Sequence, residues 1–332
     1  MRMLSPFPCF RCFDLVSVEI SSVILAYLPP NIIQVCAIVS TEINEPRVHG
    51  LTNQITVEAP TKSIREGLMG EIILSCTTCA LRNPPLDEIA ETFQHAPKAG
   101  YAYWGLAGPI TWTPGLIRWL DTEGLQRQAA EVGLKGLTEV YASAIANDSV
   151  DAAESSIADL LLNAQAAVKL QCPLLVFSGG KRQTDGLKNT IAGLEKLTQS
   201  IAGLPVKVAL EPHVGSQFEN EADYAEIFEH ITTEQVGITI DTGHFHVAGV
   251  DWKALIRKYP DRIYNVHVKD HIGAQSVPIG DGEVDMPGLI HELRAIDYCG
   301  PLAVELEVKD PENLPRYVAD AYQYLSGLIH SG

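Results

Sequence analysis

Long hydrophobic runs are missing from this sequence, and so is any concentration of basic residues. No span of about 20 consecutive apolar residues occurs, which a transmembrane helix would require. The 41 acidic residues outnumber the 24 basic ones and give a formal net charge of −17. Surfaces that bind nucleic acid usually carry a basic stripe, and none is present here. We therefore expect no membrane and no nucleic acid among the partners of this chain.

Cysteines are also few and irregularly placed. The chain has seven, an odd number, scattered from Cys9 to Cys299. A small secreted domain held together by disulfides would instead show a dense and even-numbered framework. The two C-x-x-C pairs, at Cys9 and Cys76, stand too far apart in the chain to favour a zinc ribbon. A reducing, cytoplasmic compartment is the simplest expectation.

From residue 71 onward, strand-like and helix-like patterns alternate along the chain. Short apolar runs rich in β-branched residues indicate buried parallel strands, and apolar residues at helical spacing separate them. One long helix is predicted over residues 151–170, with Asp151 as its N-cap. The predicted strands cover residues 72–75, 101–106, 137–141 and 174–178, and four more end at Glu211, Asp241, His267 and Glu305.

Eight strand–helix pairs predict an α/β protein with the (β/α)8 TIM barrel fold. An open doubly wound sheet is the alternative, but it would be expected to carry a Gly-rich phosphate turn after an early strand, and residues 75–84 contain none. The 332 residues, 46 % of them hydrophobic, suffice for such a barrel and an extension. We expect a barrel domain over residues 70–330 and a poorly ordered N-terminal leader over residues 1–69. A cleaved targeting peptide is the alternative for the leader.

The last four predicted strands each end in a residue that can bind a metal. These residues are Glu211, Asp241, His267 and Glu305. All strands of a barrel end on the same rim, so the four side chains can converge. Clustered carboxylates would repel one another without a cation, and a lone buried carboxylate is costly. Three carboxylates and one imidazole suit Mn²⁺, Mg²⁺ or Co²⁺, with Zn²⁺ also open. We expect one divalent ion, with Mn²⁺ as the first choice.

The motifs around these residues resemble those of the xylose isomerase-like barrels, specifically the sugar phosphate isomerase/epimerase family. The resemblance covers roughly residues 71–325. It is strongest in Leu210-Glu-Pro-His, Asp241-Thr-Gly-His, Val266-His-Val-Lys-Asp, Gly280-Asp-Gly-Glu and Gly300-Pro-Leu-Ala-Val-Glu. It implies that Glu211, Asp241, His267 and Glu305 hold one divalent metal. It also implies that Glu211 and Glu305 act as catalytic acid and base, and that His244 is a histidine on the substrate side.

The resemblance implies a metal-dependent enzyme, an isomerase or epimerase acting on a sugar, a sugar phosphate or a keto-polyol. Such an enzyme abstracts a proton next to a carbonyl, and the metal stabilises the resulting enediolate. Two carboxylates can share the acid and base work. Further substrate-binding residues are expected at His213, Gln217, Lys269 and Trp104. The alternatives are a loop hydrogen bond for His213 and Gln217, an ion pair with Asp270 for Lys269, and core packing for Trp104.

Three other functions remain open at this point. A lyase or dehydratase acting on a keto-inositol or keto-glycoside could use the same metal. An AP endonuclease-like repair enzyme would need three zinc ions, but residues 105–111 and 141–145 lack the extra histidines, and the net charge of −17 repels phosphate. A non-catalytic sugar-binding barrel is the third alternative. In each case except repair, a small carbohydrate is the expected partner, and the chain could form a homo-oligomer.

Overall fold

The computed structural model of the protein describes residues 71–331, so the predicted N-terminal leader lies outside the described residues. Eight parallel strands form a closed barrel in the order β1-β10-β7-β6-β5-β4-β3-β2, and two further strands form an antiparallel hairpin. The strands are β1 (Ile73–Thr77), β2 (Tyr103–Ala107), β3 (Gly136–Tyr141), β4 (Leu174–Ser178), β5 (Lys207–Glu211), β6 (Val236–Asp241), β7 (Ile263–Val268), β8 (Asp270–Ile272), β9 (Gln275–Val277) and β10 (Pro301–Val304).

Helices connect the barrel strands and cover the outside of the barrel. They are α1 (Glu88–Ala99), α2 (Pro109–Trp112), α3 (Thr122–Glu131), α4 (Val150–Lys169), α5 (Gly186–Ser200), α6 (Glu221–His230), α7 (Thr242–Ala248), α8 (Trp252–Lys258), α9 (Met286–Ala295) and α10 (Leu314–His330). None of the helices in residues 71–331 is long and apolar enough to cross a membrane.

The predicted TIM barrel is confirmed, and the open-sheet alternative is excluded because β1 pairs in parallel with β10 and closes the ring. The predicted N-cap of the long helix is wrong. Ser149, not Asp151, caps α4, and its side chain accepts a hydrogen bond from the Ala152 amide at 3.0 Å. Ser149 has the extended backbone of an N-cap residue (φ −158°, ψ 168°), whereas Asp151 already lies in the first helical turn.

The strand register shows which residues lie level with one another at the carboxyl ends of the barrel strands. Asp241 of β6 pairs with His267 of β7, and Ser178 of β4 pairs with Glu211 of β5. Residues two apart on a strand face the same side. The side chains just below this rim, on the same face of their strands, are therefore those of Glu139, Ala209, Thr239, Asn265 and Ala303, all of which are buried.

Candidate metal centre

Glu211, Asp241, His267 and Glu305 converge at the carboxyl end of the barrel strands. Each offers one ligand atom, and these four atoms lie within 4.8 Å of one another. Glu211, Asp241 and His267 end or nearly end β5, β6 and β7, and Glu305 directly follows β10. The side chains of the first three are at most 1 % exposed, and that of Glu305 is 12 % exposed. The sequence-based prediction that these residues meet is therefore matched by the geometry.

Two carboxylate oxygens in this cluster are buried and lack a hydrogen-bond donor. Asp241 Oδ1 accepts from the His244 amide at 2.8 Å, while Oδ2 accepts a hydrogen bond from no described residue. Glu305 Oε1 accepts from the Cys79 thiol at 3.1 Å, and Oε2 likewise makes no hydrogen bond of good geometry with residues 71–331, although Lys269 and His267 contact it as ion pairs. Ion-pair contacts without hydrogen bonds leave lone pairs open on these buried oxygens, and open lone pairs on a buried acceptor are costly. Hard oxygen ligands with free lone pairs, together with an imidazole, fit a single divalent cation.

Lys269 supplies positive charge to the same oxygens. Its side chain is 1 % exposed, and Nζ lies 3.2 Å from Asp241 Oδ2 and 3.3 Å from Glu305 Oε2 as an ion pair. Burial would lower the pKa of Lys269, but Asp241 and the other nearby carboxylates raise it well above its ordinary value. Burial raises the pKa of Asp241, and Lys269 offsets only part of that effect. Burial also raises the pKa of Glu305, but Lys269 and His267 hold it well below its ordinary value.

His267 is held by carboxylates on both ring nitrogens. Nδ1 lies 2.5 Å from Glu211 Oε1 and 3.0 Å from Glu305 Oε2, on the side of the cluster. Nε2 lies 2.9 Å from Oε2 of Glu139, a fully buried residue of β3. Burial alone would lower the pKa of His267, but Glu139, Glu305 and Glu211 raise it well above its ordinary value. Sequence reasoning missed Glu139; the available signal was an acid inside an otherwise buried strand.

Glu211 has a second set of partners at its other oxygen. The Tyr141 hydroxyl donates to Oε2, and His213 Nε2 lies 3.2 Å from the same atom. Burial raises the pKa of Glu211, but His213 and His267 outweigh it and lower the value to about 2. Tyr141 was also missed, because it looks like an ordinary aromatic residue of a buried strand. Its contact with Glu211 arises only when β3 and β5 are placed in the barrel.

A cavity of about 640 Å³ opens beside the cluster. Its walls include Glu305 and Tyr141, and they also include His213, one of the predicted substrate-binding residues. The ring of His244 packs edge-on against that of His213, with centroids 4.2 Å apart. Burial, Lys269 and His213 together lower the pKa of His244 to about 3. The two histidines and Lys269 thus lie together next to the four candidate ligands.

Two other predicted substrate-binding residues do not face this cavity. Gln217 is 1 % exposed, and its Nε2 donates to the Lys181 carbonyl at 3.2 Å, which corresponds to the loop hydrogen bond left open above. Trp104 is 2 % exposed and packs edge-on against Phe93 of α1, at 5.0 Å between ring centroids. It therefore points to the helix layer, as core packing requires. The tryptophan that lines the cavity is Trp112.

Asp270, the alternative partner of Lys269, binds backbone instead. Its carboxylate accepts hydrogen bonds from the amides of His271, Gly280, Gly282 and Val284, at 2.9 to 3.1 Å. The side chain of Lys269 pairs with Glu307 at 3.0 Å, in addition to Asp241 and Glu305. Asp270 thereby fixes the rim loop that follows the β8–β9 hairpin.

Residues 93–327 match the family described as xylose isomerase-like TIM barrel, and the chain belongs to this family. Among curated proteins it is similar to an inosose dehydratase from Clostridium tetani, with 29 % identity over 160 residues, which is 42 % of this chain and 53 % of that protein. It is also similar to the rhizopine catabolism protein MocC of Rhizobium meliloti, with 31 % identity over 138 residues, 36 % of this chain and 42 % of that protein. The matched stretch spans about half the length of these relatives.

Solved structures share the fold at low sequence identity. The apo 3-keto-D-glucoside 4-epimerase from E. coli superposes with a TM-score of 0.63 at 18 % identity, covering 76 % of this chain and 100 % of that one. The IolI protein with a bound zinc atom gives a TM-score of 0.65 at 17 % identity, covering 78 % of this chain and 98 % of that one. These similarities confirm the fold.

Proposed function

We propose that this protein is a metal-dependent enzyme that isomerises or epimerises a small carbohydrate by removing a proton next to a carbonyl group. The observation that carries the proposal is the convergence of Glu211 and Glu305 with Asp241 and His267 beside an open cavity. Two carboxylates at one site can take a proton from a substrate carbon and return it. The name of the similar 3-keto-D-glucoside 4-epimerase supports this chemistry.

The four residues that would hold the metal are Glu211, Asp241, His267 and Glu305. A divalent cation bound there supplies Lewis-acid polarisation of a substrate carbonyl and its neighbouring hydroxyl. Oxygen-rich ligands favour Mn²⁺, Mg²⁺ or Co²⁺, and the zinc-bound IolI neighbour keeps Zn²⁺ in the set. We propose Mn²⁺ as the first metal to test.

Glu211 and Glu305 are both placed to begin as bases. His213 and His267 lower the pKa of Glu211 to about 2 in spite of its burial, and Lys269 holds the pKa of Glu305 well below its ordinary value. Both carboxyls are therefore ionised near neutral pH. The carboxylate that accepts the proton can return it to the neighbouring carbon, which gives isomerisation. Epimerisation needs a proton delivered to the opposite face of the same carbon, so the second carboxyl must first take up a proton from solvent and then donate it as the first accepts the substrate proton.

A dehydratase acting on a keto-inositol is the second candidate. In that reaction Lys269, whose Nζ lies 3.3 Å from Glu305 and 3.4 Å from His244 Nε2, would be the proton donor to a departing hydroxyl group. The similar inosose dehydratase from Clostridium tetani supports the same candidate. Proton abstraction next to the carbonyl is common to both candidates, so one experiment can test the shared step and separate the outcomes.

The test is a screen of ketoses, keto-inositols and keto-glycosides with Mn²⁺-loaded protein in D₂O. We expect deuterium uptake at the carbon next to the carbonyl, detected by NMR. A new isomer or epimer supports the first candidate, and loss of water supports the second. Glu211→Gln and Glu305→Gln, each confirmed to carry metal, should exchange at least about 100-fold more slowly. The control is Glu283→Gln, an exposed rim residue. Full turnover by either metal-loaded site variant would refute the proposal.

A further inference from the structure

We propose that Glu139 is a positioning residue for the metal site: it fixes the imidazole of His267 so that Nδ1 faces the cluster. The inference rests on the proposed function, since it assumes that the cluster binds a cation. Glu139 itself stands outside the four-residue cluster. It acts through His267, from the opposite side of the imidazole ring.

The hydrogen bonds of Glu139 are directed at β7. Its Oε2 lies 2.9 Å from His267 Nε2 and accepts from Asn265 Nδ2 at 2.5 Å. Asn265 precedes His267 by two residues, so both side chains lie on the same face of the strand. The amide of Asn265 therefore steadies the carboxylate just below the imidazole that it orients.

The neighbouring strand accommodates the Glu139 carboxylate because the residue beside it is a glycine, which has no side chain. Gly105 of β2 pairs with Glu139 in the strand register. A Cβ atom at Gly105 would lie 2.7 Å from Glu139 Oε1 and 2.9 Å from its Cγ. Any larger residue at position 105 would thus displace the Glu139 side chain, and with it the contact to His267.

Stability alone gives a poor reason for a carboxylate here. Glu139 is fully buried, and its Oε1 has no hydrogen-bond partner among the described residues. Burying a carboxylate with an unpartnered oxygen is costly, and an apolar side chain would avoid this cost. The carboxylate instead serves metal binding, through its contact with His267. With a cation bound, a proton kept on Nε2 and donated to Glu139 would leave the Nδ1 lone pair for the cation, in place of the 2.5 Å contact between Nδ1 and Glu211 Oε1. A carboxylate behind a ligating histidine also raises its basicity.

Glu139→Gln tests this role, because it keeps the size of the side chain and removes its charge. We expect Mn²⁺ and Co²⁺ to bind about 10- to 100-fold more weakly, measured by calorimetry on purified full-length protein. The visible absorption spectrum of the Co²⁺-loaded variant should also change. The control is Thr239→Val at the same level of the barrel, whose buried hydroxyl has no partner among residues 71–331. It should bind Mn²⁺ as tightly as the wild type.

The outcomes separate this inference from the proposed function. If the wild type binds Mn²⁺ and Glu139→Gln binds it equally well with an unchanged Co²⁺ spectrum, the role of Glu139 is refuted and the metal site stands. If the wild type binds no divalent cation, the proposed function fails and this inference fails with it. Should Glu139→Gln not fold, NMR of the Co²⁺-loaded wild type decides. A paramagnetically shifted imidazole N–H that exchanges slowly with water supports the contact, and its absence overturns it.

Discussion

Glu139 and Tyr141, which hold two of the four candidate metal ligands, both come from β3 and lie on the same face of that strand. Glu139 contacts His267, and the Tyr141 hydroxyl donates to Glu211. The ligands themselves come from other strands. The positions of His267 and Glu211 therefore depend on a strand that supplies none of the four residues in the cluster.

Replacing Tyr141 with Phe should slow the proposed proton-transfer step without removing metal from the candidate site. The hydroxyl donates a hydrogen bond to a charged carboxylate, and such bonds contribute about 1.5 to 3 kcal/mol. If the bond orients Glu211 for proton transfer, its loss should reduce the rate of deuterium exchange by about 10- to 100-fold. Bound Mn²⁺, measured by atomic absorption, should stay at the wild-type level.

Tyr298→Phe is the matched control for this change. Its hydroxyl donates to the Pro301 carbonyl at 2.8 Å, at the start of β10 and away from the carboxyl ends of the strands. Exchange at the wild-type rate is expected for this variant. Wild-type exchange by Tyr141→Phe as well would show that the hydrogen bond to Glu211 has no part in proton transfer.

The candidate ligands could be predicted from the sequence because each is a metal-binding residue type at the end of an apolar run. Glu211, Asp241 and His267 follow this rule, and strand ends in a barrel share one rim. Glu139 and Tyr141 lie within a strand, where sequence position says little about which neighbour they reach. Trp104 and Trp112 show the same difficulty, since the first faces Phe93 and the second the cavity.

At the scale of elements, helix α7 was not predicted. It has only seven residues, Thr242–Ala248, which is too short for helical periodicity to be visible. Its N-cap is Asp241, whose Oδ1 accepts the His244 amide. Oδ1 of Asp241 thus caps the start of α7, while Oδ2 faces the cluster. The spacing of three residues between Asp241 and His244 follows from this capping geometry.

The rim loop after the β8–β9 hairpin depends on Asp270. Asp270→Ala would leave four backbone N–H groups without their acceptor. Each unsatisfied buried donor costs about 1 to 3 kcal/mol, although water can enter a rim loop and recover part of this. We expect the free energy of unfolding to fall by about 3 kcal/mol. In a domain of this size the melting temperature should drop by about 6 to 12 °C.

Asp281→Ala, in the same loop, is the control for Asp270→Ala. Asp281 is exposed, so removing its side chain should change the free energy of unfolding by less than about 0.5 kcal/mol. Thermal unfolding followed by circular dichroism measures both variants. Equal melting temperatures for the two would mean that the loop keeps its shape without the Asp270 carboxylate.

At the scale of the whole molecule, the alternation of strands and helices was enough to predict a closed barrel. Eight strands with helices between them close through the pairing of β1 with β10. Pattern alone could not give the register. The shifts between Trp104 and Gly105 and between Ile238 and Thr239 are local irregularities of the strand pairs. These shifts lie on the strands that bring Gly105 next to Glu139 and Asp241 next to His267.

Because the four candidate ligands span residues 211–305, the unfolded chain cannot present them together. A cation that binds only the folded barrel must stabilise it, by about 2.7 kcal/mol at a free concentration 100 times its Kd. Adding Mn²⁺ to chelator-treated protein should therefore raise the melting temperature by about 5 to 10 °C. Asp241→Asn removes one charged ligand and should lose most of this rise, whereas the exposed Asp281→Asn should keep it. An equal rise in both variants would place the stabilising cation elsewhere on the protein and would separate the Glu211–Asp241–His267–Glu305 cluster from metal binding.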